Sequence, residues 1–277
     1  MTTPNSNVSV RVENLGHVNA PGCQPVGVKL GFGIAAAMVR KQGDQIIPGA
    51  IVRCRQVTHH MDRSAPRSAH QNALAARQPN SGPDAVYLDQ YDSPAAVAAH
   101  STSTGPEIMA ALDGQVRAVV MVAGTGGSSM GVARFFKAQS PETDIWLVDE
   151  AGSLALPGNG GAAPRHLNGM GTSIAPANYA PPEFHEFIDH VVYVNAEESI
   201  RAAIGLARSE GILVGGSGGA AVHVMRDLAA PHYGPGDNLV ALLPDHGSRY
   251  TETQFDPDWL AARGINVPEI LNADTDI

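Results

Sequence analysis

The stretch Arg117–Lys137, RAVVMVAGTGGSSMGVARFFK, reads as a buried strand, a glycine-rich turn and a helix. Arg117–Ala123 is a short β-branched apolar run, as expected of a strand covered on both faces. Gly124, Thr125, Gly126, Gly127 and Ser128 then supply backbone freedom and unshielded N–H groups. Ser128 or Ser129 is placed to cap a helix on which Val132, Phe135 and Phe136 recur at helical spacing. Amides at a helix N-terminus, at the carboxyl end of a strand, make an anion site, most often for phosphate. A tight turn without a ligand is the plain alternative, but four glycines within eight residues favour phosphate.

On both sides of this unit, strands and helices alternate. Upstream, Val8–Val12 reads as a strand, Gly33–Lys41 as a helix closed by Gly43, and Ala50–Cys54 as a strand after Pro48-Gly49. Gln56–Gly82 is irregular, with one candidate helix at Ser68–Arg77, and Ala85–Asp89 is the next strand. Gly105–Leu112 is a helix opened by Pro106. Downstream come the strand Asp144–Asp149, a Gly/Pro/Asn-rich loop over 150–182, the strand Val191–Asn195 and the helix Glu197–Ser209. A second glycine turn, Gly215–Gly219, opens the helix Ala220–Leu228. Asn238–Leu243 is a last buried strand, and Pro257–Arg263 a short helix. Such alternation specifies an α/β fold, a mostly parallel sheet with helices on both faces. Ligands in such sheets sit at the carboxyl ends of the strands.

The 277 residues carry a formal net charge of −9 and no basic cluster, which argues against nucleic acid as a partner. Cys23 and Cys54, the only cysteines, fit neither a disulfide framework nor a cysteine metal site and suit a reducing, cytoplasmic setting. The opening MTTPNSNVSV lacks the pattern of a signal peptide, and no apolar run approaches the ~20 residues of a membrane span. His59, His60, Asp62 and His70 lie close in sequence, but adjacent loop histidines point different ways and no i, i+4 pair marks a ligand face; no metal is expected.

A nicotinamide dinucleotide is the first alternative for the glycine loop, with Asp149 where a ribose-binding acid would stand. Against it, Ser129 replaces the third glycine, and Gly27-Val28-Lys29 and Pro244-Asp245-His246-Gly247 stay unexplained. Several segments together resemble the cysteine synthase and cystathionine β-synthase family, fold-type-II enzymes that use pyridoxal 5'-phosphate. Gly124–Ser128 looks like the phosphate loop of that family, with Ser128 where Thr is usual. Thr104–Ile108, Val148–Ser153, Leu167-Asn168-Gly169-Met170-Gly171, Ser209–Ala221 and Leu243–Tyr250 are similar to further segments, in the family's order. Gly27-Val28-Lys29, followed by Pro48-Gly49, resembles the segment holding the cofactor's lysine.

The resemblance implies roles. Lys29 would bind the cofactor as a Schiff base and move the α-proton; desolvation beside apolar neighbours favours both by lowering a lysine's pKa. Gly124, Thr125, Gly126, Gly127 and Ser128 would hold the phosphate, Gly169, Met170 and Gly171 would lie beside the substrate, and His246 would face the pyridine nitrogen, where Ser or Thr is usual. The reaction implied is β-elimination or β-replacement on an O-activated serine or a related small amino acid, by a homodimer. The implied division is a smaller unit over 35–112 and a larger cofactor-binding unit of 1–34 with 113–277. Two departures stand out. The family's Thr/Ser-Ser-Gly-Asn-Thr-Gly loop, which grips the substrate carboxylate, is absent where RQVTHHMDRSAPRSAH follows Cys54, and the stretch to Gly105 is short by at least one βα unit. Gln56, Thr58 and Ser64 are polar stand-ins that nothing singles out. These departures keep open a second reading, a catalytically degenerate homologue that binds or regulates a paralogous partner.

Overall fold

The computed structural model describes residues 35–42, 45–53, 91–159, 164–180 and 182–268. The expectations at Val8–Val12, Lys29, His59, His60, Asp62, His70, Ser68–Arg77 and Ala85–Asp89 lie outside these residues. Among the described residues, six strands form a sheet: β1 (Ala35–Gln42), β2 (Gln45–Arg53), β3 (Ala118–Val122), β4 (Asp144–Glu150), β5 (His190–Val194) and β6 (Asn238–Leu243), in the order β2-β1-β6-β3-β4-β5. β6, β3, β4 and β5 run parallel, while β1 is antiparallel to both β2 and β6.

The helices are α1 (Pro94–Thr102), α2 (Thr104–Ala111), α3 (Gly127–Gln139), α4 (Glu183–Phe187), α5 (Ala196–Glu210), α6 (Gly216–His223) and α7 (Pro257–Ala261). β3 shows why its sequence has no polar alternation. Ala118, Val120 and Val122 face a core shared with Ile200 of α5 and Ala220 and Ala221 of α6. Val119 and Met121 face another, with Val97 of α1, Ile108 of α2 and Val132 and Phe136 of α3. Both faces are dry, so every position is apolar. α5 carries a reciprocal cap: Asn195 accepts the Glu198 N–H at 3.0 Å, and Glu198 accepts the Asn195 N–H at 2.9 Å.

Three expectations are corrected. Ala35–Lys41, expected within a helix, is strand β1. Its backbone groups are taken by β2 on one side and β6 on the other, with Met38 opposite Val240, and this pairing overrides the helical spacing of Ala37 and Met38. Gln42 pairs with Gln45 across Gly43-Asp44, a composition that two-residue hairpins favour. Among the described residues β2 is at the sheet edge, where Pro48 is tolerated. Second, α3 is capped by neither Ser128 nor Ser129: its N-cap is Gly126, left-handed at φ 86°. Third, the helix expected from Ala220 starts at Gly216 and passes into a π-helical turn over Val224–Ala229.

Candidate active site

The carboxyl end of β3 is where the chain's long loop is stitched to the sheet. Three consecutive residues each bond to the segment 171–179. The Ala123 carbonyl accepts the Gly171 N–H at 2.7 Å, the Gly124 N–H donates to Tyr179 Oη at 3.3 Å, and the Thr125 carbonyl accepts from Asn178 Nδ2 at 2.8 Å. Ser129 Oγ, buried just past the loop, lies 2.8 Å from the same Tyr179 oxygen. The loop Gly124–Ser128 is thereby fixed against the first turn of α3, whose leading N–H groups have no acceptor within the helix.

Two glycines of the loop are required by packing. A Cβ on Gly126 would come within 2.7 Å of Asn178 Cβ, and one on Gly127 within 2.8 Å of Ala96 Cβ. Gly124 differs, since a Cβ there would meet only the Gly169 carbonyl oxygen, at 3.9 Å. The space beside Gly124 is therefore open, and Thr125 and Ser128, in the same loop, are half-buried. An open cradle of glycine amides with two hydroxyls, at a helix N-terminus, fits a phosphate group.

The glycine turn at 169–171 borders this space. Gly169 (φ 88°) and Gly171 (φ 69°) are both left-handed, a conformation glycine adopts without steric cost. A Cβ on Gly169 would sit 2.9 Å from Ser217 Oγ. The approach to this turn is held by Glu150 at the end of β4, whose Oε1 accepts the N–H groups of His166 and Leu167. Met170, named with the two glycines, turns its side chain into the core beside Leu167, so only its backbone faces the turn.

Ser217 lies on the first turn of α6, fully buried, and its hydroxyl has no partner among the described residues. Behind it, Gln254 Oε1 accepts the Gly216 N–H at 2.7 Å, and Asp245 Oδ1 packs against Gly215, 2.4 Å from where a Cβ would stand. Asp245 Oδ2 accepts the Tyr250 hydroxyl. Burial pushes the carboxyls of Asp245, Glu150 and Asp149 above their ordinary values, Asp149 to about 6. His246 is exposed and forms an isolated bridge with Val214. Its Nδ1 accepts the Ser248 N–H at 3.2 Å, which leaves the proton of the neutral ring on Nε2.

Of the residues expected at the site, the structure brings together Gly124–Ser128 and Gly169–Gly171; it sets His246 on the strand-to-turn segment behind α6 that also holds Asp245. Tyr179, Asn178, Glu150 and Ser217 were missed. Ser217 stood within a quoted glycine turn, whereas nothing local marks Asn178-Tyr179.

Residues 35–245 match the model of the family described as pyridoxal-phosphate dependent enzyme. N-(2-amino-2-carboxyethyl)-L-glutamate synthase of Ralstonia nicotianae is 34% identical over 181 residues, covering 65% of this chain and 52% of that protein. Cysteine synthase A of Escherichia coli is 34% identical over 185 residues, covering 62% of this chain and 54% of that protein. The crystal structure of O-ureido-L-serine synthase superposes with a TM-score of 0.55 at 29% identity, over 62% of this chain and 55% of the other. The chain thus spans about half the length of the curated relatives it matches. With the match running from β1 to the end of β6 and across the glycine cradle, the chain belongs to the pyridoxal-phosphate dependent enzyme family.

Proposed function

We propose that this chain binds pyridoxal 5'-phosphate at the Gly124–Ser128 cradle and carries out β-elimination or β-replacement on an O-activated serine or a related small amino acid. The observation that carries the reading is the cradle itself, open beside Gly124 and bordered by the glycine turn at 169–171. When bound, the cofactor supplies an electron sink for charge developing at the substrate's α-carbon. The rest falls to the chain's own residues. The leading amides of α3 and the hydroxyls of Thr125 and Ser128 hold the phosphate. Lys29 anchors the cofactor and moves the α-proton. The backbone of Gly169, Met170 and Gly171 lines the substrate side, and His246 offers an N–H towards the ring nitrogen. A cytoplasmic homodimer belongs to this reading, supported by the family resemblance and by the two unpatterned cysteines; no described helix is long and apolar enough to cross a membrane. The relatives named above are synthases, which does not favour the reading of a degenerate binding partner.

The test is the absorption spectrum of the purified chain with pyridoxal phosphate, beside Lys29→Ala. A visible band in the parent that the variant lacks, followed by release of acetate from O-acetylserine or of phosphate from O-phosphoserine, is the expected result. Absence of the band in the parent overturns the cofactor reading. A band without turnover of any activated serine would return the chain to the binding-partner reading.

A further inference from the structure

We propose that Tyr179 is the positioning residue of the anion cradle, pinning the two ends of the loop together through its single phenol oxygen. The inference rests on the reading that the cradle takes a phosphate group. Gly124 is the first residue of the loop and Ser129 the first beyond it, and Tyr179 Oη meets both: the Gly124 N–H at 3.3 Å and Ser129 Oγ at 2.8 Å. Tyr179 and Ser129 are buried, so water has little access to replace either bond. The ring is itself held in place. It stands edge-on to Phe184 with centroids 6.0 Å apart, and its Cζ is 3.3 Å from where a Cβ on Gly126 would lie.

The neighbouring residue works from the other side. Asn178 Nδ2 donates to the Thr125 carbonyl at 2.8 Å and to the Tyr91 carbonyl at 3.2 Å, which orients the second peptide of the loop. Five residues rich in glycine would otherwise sample many conformations, most of them with amides pointing apart. With Gly124, Thr125 and Ser129 fixed by one pair of residues fifty or more positions downstream, the amides between are set before any anion arrives. Affinity then comes from a loop ordered in advance rather than ordered at the moment of binding. Because the pin acts on the phosphate loop alone, it has to discriminate between a phosphorylated ligand and its dephosphorylated counterpart.

Tyr179→Phe keeps the ring and its packing while removing the oxygen. Three readouts apply to the full chain: affinity for pyridoxal phosphate, affinity for pyridoxal, and hydrogen exchange at the Gly124 amide without ligand. The expected result is a Kd for pyridoxal phosphate raised about tenfold, the counterpart of losing one well-made hydrogen bond. Pyridoxal affinity stays unchanged, and Gly124 exchange is faster. Ser129→Ala, which spares the tyrosine, gives a smaller change in the same direction and serves if Tyr179→Phe does not fold. Equal losses for the two ligands would mean a general structural role and overturn the proposal, as would unchanged Gly124 exchange. Failure of the wild type to bind pyridoxal phosphate counts against the cofactor reading instead, and the exchange experiment then decides the pin alone.

Discussion

Glu150 Oε1 accepts the backbone N–H of Leu167 at 3.0 Å, so a carboxylate only 2% exposed at the end of β4 holds the approach to the glycine turn at 169–171. The same oxygen takes the N–H of His166, while Oε2 has no partner among the described residues. Glu150→Ala leaves two amides without their acceptor and is expected to destabilise the chain by about 2–3 kcal/mol in urea denaturation. Glu150→Gln retains an acceptor oxygen and should lose about 1 kcal/mol or less. Equal effects of the two variants would show that the bonds to His166 and Leu167 do not matter.

Asp149 gives the fold a pH dependence of definite sign. Its Oδ1 accepts the Glu150 N–H at 2.9 Å, but burial dominates and pushes the carboxyl from 3.8 to about 6. Between these values the folded chain binds this proton more tightly than the unfolded chain does, so stability falls as pH rises. The contribution is fully present below 3.8 and lost as pH passes through about 6. Asp149→Asn removes it, so the variant should gain relative to wild type between pH 4.5 and pH 7.5, by at most about 3 kcal/mol at ~1.4 kcal/mol per pH unit. Urea midpoints at the two pH values measure the difference; a constant offset between the proteins would sink the assignment.

Ser217 and Gly169 are expected to respond in opposite ways to the same kind of change. Ser217 Oγ is buried and unpartnered among the described residues, so Ser217→Ala removes a polar atom that folding leaves unsatisfied. Its stability should match or exceed that of the wild type by up to about 1 kcal/mol. Gly169→Ala forces a left-handed residue to carry a Cβ 2.9 Å from that same oxygen, and should cost about 1–3 kcal/mol. A destabilised Ser217→Ala would reveal a partner for the hydroxyl within the chain.

Gly219 is where α5 and α6 touch backbone to backbone. A Cβ there would stand 2.0 Å from the Ser199 carbonyl oxygen and 2.9 Å from Ala203 Cβ. Neither is the end of a flexible side chain, so the helices would have to separate across the core that covers one face of the sheet. Gly219→Ala is expected to lose more than about 3 kcal/mol or to fail to fold. Circular dichroism with thermal melting checks this, and a melting curve like that of the wild type would refute the contact.

What could be read from the sequence follows from how local each signal is. Ala118–Val122, the glycine loop and α3 were legible together because buried apolar runs, glycines and helical spacing act within a few residues of one another. Asn238–Leu243 and the helix at Ala196–Glu210 were legible for the same reason. β1 was not, since Ala35–Met38 suits a helix as well as a strand, and its pairing with β2 on one side and with β6, some two hundred residues away, on the other decides the matter. Within the site, the glycines of 124–128 stood out by composition, whereas 169–171 was marked only by its resemblance to a family segment. Tyr179 and Glu150 did not: a tyrosine and a glutamate become braces only when folding sets them beside an amide from another part of the chain.

The position of β6 has a consequence for how the molecule is made. The strand that separates β1 from β3 spans Asn238–Leu243, so among the described strands the one in the middle of the sheet is the last to leave the ribosome. Until then β1 and β3 each present a bare hydrogen-bonding edge, and both belong to chain already synthesised. Assembly of the sheet therefore waits on sequence-distant closure, a slow class of event that leaves nascent chains open to sticking to one another. Chains halted before residue 238 should accumulate as chaperone-bound or aggregated species, while those carried past residue 243 can zip the two halves together in one step.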